Sequence, residues 1–177
     1  TSFGLVRGKF MFRDALKALF LTPMILPVVV FAVALYAFFL RIGLGGTLIG
    51  FVVSHLVLAL PFSILSISGA LEGFDKSIED AAVLCGASPL EAKIRVTLPA
   101  ISHGLFSAAV FSFLTSWDEV VVAIFMASPT LQTLPVKVWA TLRQDLTPVV
   151  AAASTLLILL TVMLMTLAAI VRKVLKS

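Results

Sequence analysis

Hydrophobic positions along the chain fall into long, nearly unbroken runs, with polar and charged residues gathered between them. A helix rises about 1.5 Å per residue and the hydrocarbon core of a bilayer is about 30 Å thick, so apolar runs of roughly 20 residues predict membrane-spanning helices. Four such runs are present: Thr22 to Leu40, closed by Arg41; Thr47 to Ser68, containing His55 and Pro61; Ala100 to Trp117; and Pro148 to Val171, closed by Arg172 and Lys173. A shorter stretch, VVVAIFMA from 120 to 127, is too short to span and is expected to be re-entrant, interfacial or an extension of the third helix. The pattern predicts an all-α fold, a polytopic membrane helical bundle.

Composition strengthens this reading. Of 177 residues 60% are hydrophobic and 12% charged, whereas a soluble domain carries about 25% charged residues. Mean hydropathy is +1.15, too apolar for a water-soluble core of this size and for a disordered chain. The net charge of +4 raises nucleic acid as a partner until the cations are placed. Four spans put Arg7, Lys9, Arg13, Lys17, Lys76, Lys93, Arg95, Arg172, Lys173 and Lys176 on one side, which makes ten, and Arg41, Lys137 and Arg143 on the other, which makes three. The positive-inside rule then predicts a multi-pass protein with both ends of the chain and the Gly69–Leu98 loop in the cytoplasm. Cations flanking spans explain the basic balance, so no nucleic-acid partner is expected. The single Cys85 can make neither an intrachain disulfide nor a zinc site, and no metal or cofactor is expected. Thr1 is not an initiator Met, and no cleavage pattern follows the basic lead, so the sequence is expected to be an N-terminally truncated piece rather than to carry a signal peptide.

The loop from residue 69 to 98 has helical pattern of its own. Ser77 with Asp80 three residues on fits an N-terminal capping box, and Ile78, Ala81, Ala82 and Cys85 share one face. Gly86 then permits a left-handed end and a close backbone approach. A second helix is predicted from Ser88 as cap, Pro89 at the first position and Glu91 closing a capping box, with Leu90, Ile94 and Leu98 on one face. Pro99 is expected to mark the entry into the third span. Two short amphipathic helices around a glycine elbow suit a groove on another protein; the alternative is a helix lying on lipid headgroups.

Asp80-Ala81-Ala82, then Gly86 after three intervening residues, then nine residues and Val96-Thr97-Leu98-Pro99 closely resembles the EAA signature of permease subunits of bacterial ABC importers, the MetI-like type. Asp80 stands where that signature has Glu, with Glu79 beside it, and Val96 replaces the usual Ile. Further on, SWDEVVVAIF, TLPVKVW and TPVVAAASTLLI are similar to the spermidine and putrescine permease branch. The resemblance covers essentially the whole chain. It implies a type I importer transmembrane fold, with the four spans here the last four of six, and a single permease domain over residues 1–177. It also implies that Glu79, Asp80, Ala81, Ala82, Gly86, Leu98 and Pro99 couple the chain to a cytoplasmic ATPase dimer in the bacterial inner membrane. A second permease subunit, an extracytoplasmic solute-binding protein and membrane lipid are the other implied partners.

Catalytic chemistry is hard to find. No G-x-x-x-x-G-K-[ST] occurs, so the Walker route to ATP is closed and energy must come from a partner. The GLGG run from Gly43 to Gly46 reads as a turn. His55 and His103 fall within spans, where a lone His usually bonds a neighbouring helix. Ser54 and His55, adjacent on a helix, do not face each other as a nucleophile and base would, and the chain is not expected to be an enzyme. Pro61 reads as a kink and Ala151 to Ser154 as a close-packing face. Trp117, Asp118 and Glu119, at the end of the third span, are candidates for receiving a cationic solute on the substrate path, Asp118 ahead of Glu119; their alternatives are a solvated helix end or pairs with Arg143 or Lys137. The leading expectation is an importer permease for a small organic cation. A related permease for an opine, a phosphonate or iron, and a non-transporting membrane scaffold, are the alternatives.

Overall fold

A computed structural model describes residues 1–8, 10–144 and 148–174. Lys9, Thr147, Lys176 and Ser177, which enter the expectations above, lie outside the described residues, and only the helical backbone is described at Arg172 and Lys173. The elements are helices α1 (Ser2–Arg7), α2 (Arg13–Ile25), α3 (Val28–Arg41), α4 (Leu48–Glu72), α5 (Lys76–Leu84), α6 (Pro89–Ala100), α7 (Ser102–Trp117), α8 (Val121–Met126), α9 (Leu134–Gln144) and α10 (Pro148–Val174). Among the described residues the only β pairing is a single bridge, Ser128 with Leu131. The all-α membrane fold is therefore observed. α4 and the Ala151–Val171 part of α10 are long and apolar enough to cross a bilayer alone, and two bent helix pairs bring the number of candidate spans to as many as four.

Proline chemistry explains where the observed spans depart from the expected ones. The run from Thr22 to Leu40 is broken at Leu26 and Pro27 into α2 and α3, bent by 110°. Leu26 precedes proline, where the ring disfavours helical backbone, so the helix ends there and restarts with Pro27 as its cap. Pro99 does not open the third span; it lies in the last turn of α6, which turns by 71° into α7. Proline offers no N–H to the carbonyl four residues back and crowds it. The backbone answers with a wide π turn over Lys93–Thr97, in which the Leu98 N–H reaches the Lys93 carbonyl. Pro61, by contrast, is buried inside α4, which continues through it as one helix.

Contacts group the chain into two compact units, residues 1–22 with 59–113 and residues 23–58 with 114–177. In the first, Ile64, Ser68 and Leu71 of α4, at helical spacing, are buried with Leu5, Ala92, Ile101 and Ala108. Gly104 of α7 lets two helices meet: a Cβ there would lie 2.2 Å from the Ala70 Cβ. Ser63 and Ser112 hydrogen-bond at 2.7 Å in the same unit. In the second, Ala32 and Phe39 of α3 pack against Val122, Ala123 and Met126 of α8, with Phe51, Leu58 and Val136. The 120–127 stretch is thus a separate short helix in a core rather than an extension of the third. Its apolar faces are taken up by α3, and Phe125 meets Tyr36 ring to ring at 6.2 Å. The small residues Ala151 to Ser154 are not enclosed by this chain itself: Ala151 and Ala152 are exposed and Ala153 and Ser154 half-buried. Small side chains permit close approach, but lipid tails supply no hydrophobic drive for it.

Candidate functional site

Two groups of residues carry the functional argument, one in each unit. In the first unit Asp75 caps α5: its carboxylate accepts the Ser77 N–H at 2.9 Å, and this bond holds the Asp75 carboxyl below the usual carboxylate range. The expected Ser77–Asp80 capping box is therefore displaced by two residues. Asp ranks with the strongest N-caps, and Asp75 two residues ahead of Ser77 was the signal in the sequence. The second cap is as expected. The Ser88 hydroxyl accepts the Glu91 N–H at 3.3 Å while Glu91 Oε2 accepts the Ser88 N–H at 3.0 Å, a complete capping box with Pro89 behind it. Gly86 has φ +98°, the left-handed backbone that glycine tolerates, but a Cβ there would meet nothing within 4 Å. The elbow is a backbone requirement within this chain rather than a close approach.

Capping and elbow together present an apolar surface. Ile78, Ala81, Cys85, Leu90 and Ile94 are exposed, and Leu84 is 89% exposed. Ala82 and Leu98 are half-buried, and Pro99 is exposed. The two neighbouring acids separate: the Asp80 side chain is 60% exposed, 3.8 Å from Lys76 Nζ, whereas that of Glu79 is 9% exposed and pairs with Arg7. Thr97 donates its hydroxyl to Glu79 Oε2 at 2.6 Å. Burial pushes the Glu79 carboxyl up; the bonds from Thr97 and Arg7, with the positive charges of Arg7 and Lys93, outweigh it and hold the group below its ordinary value. Sequence reading missed Arg7 and Thr97 here, because nothing local signals a pair 72 residues apart.

In the second unit Trp117 and Asp118 line a cavity of about 530 Å³ together with Leu114, Ile158, Thr161 and Val162. Trp117 Nε1 donates to Thr161 Oγ1 at 3.2 Å, which fixes the indole against α10. Asp118 is exposed. Glu119 takes a different role: its Oε1 accepts the Val122 N–H at 2.6 Å and so caps the first turn of α8. No ion pair of Asp118 or Glu119 is found among the described residues, and Arg143 lies over the Trp139 ring at 5.6 Å instead. His55 stacks on Phe51 at 4.9 Å and bonds Ser116 through Nδ1 at 2.9 Å, a helix-to-helix role as expected. His103 is exposed in the first turn of α7, at a helix end rather than at depth. Gly43 and Gly46 take positive φ in the expected turn.

Known proteins place these features in a family. Residues 1–176 match the family described as binding-protein-dependent transport system inner membrane component. The chain is 28% identical over 173 residues to the spermidine/putrescine transport system permease protein PotC of Haemophilus influenzae, covering 98% of this chain and 67% of that protein. It is 29% identical over 157 residues to the putrescine transport system permease protein PotI of Escherichia coli, covering 85% of this chain and 56% of that protein. It is 30% identical over 141 residues to the diacetylchitobiose uptake system permease protein DasC of Streptomyces coelicolor, covering 79% and 50%. The chain thus spans about half to two thirds of the length of these relatives. It belongs to the binding-protein-dependent transport system inner membrane component family and is a multi-pass inner-membrane protein.

Proposed function

We propose that the chain is the permease part of an ABC importer for a small organic cation of the spermidine or putrescine kind, and is not itself an enzyme. Residues 1–177 form one permease domain, whose loop 69–98 docks a cytoplasmic ATPase dimer. A second permease subunit and an extracytoplasmic solute-binding protein complete the assembly. Both ends of the chain are assigned to the cytoplasm, on the ten-to-three division of Lys and Arg.

The observation that carries the solute class is the corner made by Trp117 and Asp118 at the 530 Å³ cavity. A cavity of this size falls in the range of small-molecule sites, about 300–1,000 Å³. An extended alkylammonium has two parts, and the corner offers a surface for each. The Asp118 carboxylate attracts an ammonium group, to which the Trp117 face adds a cation–π contact of about 0.5–2 kcal/mol. The aliphatic walls from Leu114, Ile158 and Val162 take the methylenes. Names of two relatives point to polyamines and a third to a sugar, so the deciding experiment compares them. Uptake and solute-stimulated ATP hydrolysis by the reconstituted full-length complex should respond to spermidine or putrescine and not to diacetylchitobiose. A response confined to the sugar, or to an opine, a phosphonate or iron, would overturn the cation assignment. A complex that transports nothing would favour the scaffold.

A further inference from the structure

The loop carries two adjacent acids, and their surroundings are opposite. Glu79 is buried, accepts bonds from Arg7 Nη1 and Thr97 Oγ1, and lies 72 residues from the one and 18 from the other. Three separate pieces of chain therefore meet on one carboxylate: α1, α5 and the π turn of α6. Aromatic rings close the cluster around the cation, with the Arg7 guanidinium 5.7 Å from the ring centres of both Phe3 and Phe74. Lys93 Nζ stands 6.0 Å from the ring centre of Phe3 as well. Asp80, one residue on, touches none of these groups and faces outward beside Lys76.

A carboxylate enclosed by its own chain cannot also be offered to a partner. Breaking one side of a buried pair leaves the other charge uncompensated, so the cluster fixes where the exposed face of Ile78, Leu84 and Leu90 stands relative to α1. We propose that Glu79, clamped by Arg7 and Thr97, is an internal latch that positions the loop, and that Asp80 alone of the two acids is presented to the docked ATPase. Glu79 is thus a positioning residue: it transmits movement of the docked face into α1 and the π turn instead of contributing to adhesion. This assignment rests on the reading of the loop as an ATPase-docking element.

The test uses the complete importer in proteoliposomes, with Glu79→Gln, Arg7→Gln, Thr97→Val, the Arg7→Gln/Glu79→Gln double variant and Asp80→Asn. ATPase co-purification, ATP hydrolysis and uptake are measured together. The expected result is that Glu79→Gln, Arg7→Gln and Thr97→Val keep the ATPase bound while uptake per ATP hydrolysed falls below that of wild type. The double variant should be no worse than the more damaging single one, because both remove the same pair. Asp80→Asn should lower ATPase retention instead. Loss of the ATPase from Glu79→Gln to the same extent as from Asp80→Asn, or additive losses in the double variant, would overturn the latch. A wild-type complex that retains no ATPase counts against the docking reading, and non-additivity of the thermal midpoints of the same Arg7 and Glu79 variants then decides the pair by itself.

Discussion

At the scale of single residues, neighbouring acids are told apart by what their carboxylates touch, and the difference can be measured. Asp118 is exposed at the cavity, whereas Glu119 is spent on the Val122 N–H of α8. Asp118→Asn should therefore lower uptake of cationic solutes with little change in thermal midpoint. Glu119→Ala should cost about 1 kcal/mol of stability, the usual loss of a helix-start acceptor, and alter uptake only as far as the fold is weakened. Paired uptake and unfolding measurements check both, and unchanged cation uptake in Asp118→Asn would point to a neutral or anionic solute. Glu79 gives a pH signature. Its folded-state carboxyl lies below its ordinary value, so its contribution is complete above the unfolded value near 4.3 and is lost as pH falls through the lowered one. The midpoint difference between wild type and Glu79→Gln is expected to stay level from about pH 8 to about pH 5 and to shrink only below the ordinary carboxylate range. A difference that shrinks already between neutral pH and about pH 5.5 would contradict a stabilised carboxylate.

Elements show how far sequence pattern reaches. The start of the second loop helix was legible, because Ser88, Pro89 and Glu91 specify it by contacts within four residues, but its π turn over Lys93–Thr97 was not. The first loop helix was legible in existence but not in its cap, since Asp75 and Ser77 are both competent and only geometry chooses. The broken first span was hidden by its hydropathy, which is indifferent to the Leu26–Pro27 break that sterics impose. Helix pairing was not legible: Gly104 has no local role and acquires one only from Ala70 on α4. Gly104→Ala is expected to cost about 1–3 kcal/mol, the range for overpacking, since the intruding Cβ meets a Cβ on a continuous helix and neither can rotate away. The thermal midpoint of the detergent-solubilised protein checks this, and a neutral result would mean that α4 and α7 separate freely. The proposed docking face makes the opposite prediction. Leu84, 89% exposed, can be changed to Glu with no loss in that midpoint, while ATPase co-purification drops because a charge enters an apolar contact. A loop lying on lipid headgroups would retain the ATPase in Leu84→Glu.

For the whole molecule, the proposed orientation in the bilayer rests on charge rather than on packing. The four runs were legible because the hydrocarbon thickness sets their length, but their bends were not, and two of the four candidate spans are bent helix pairs. Charge asymmetry survives this revision, since Lys76, Lys93 and Arg95 remain together in the segment around the proposed docking face and Arg41 remains at the C-terminal end of α3. An even number of crossings between Arg7 and the loop keeps both on one side, which the Arg7–Glu79 pair independently requires. In the proposed topology α2 with α3 counts as one crossing and α4 as the return, which assigns Arg41 and Lys76 to opposite sides of the membrane. Single cysteines placed at Lys76 and at Arg41 in a Cys85→Ser background should therefore differ in whole cells: a membrane-impermeant thiol reagent is expected to label the Arg41 position and to reach Lys76 only after permeabilisation. Labelling of Lys76 alone from outside would invert the protein and remove the loop from the ATP-containing compartment. Equal labelling of both would mean that α2–α3 enters and leaves on one face, so that the bend at Pro27 makes a re-entrant hairpin and the count of spans falls by one.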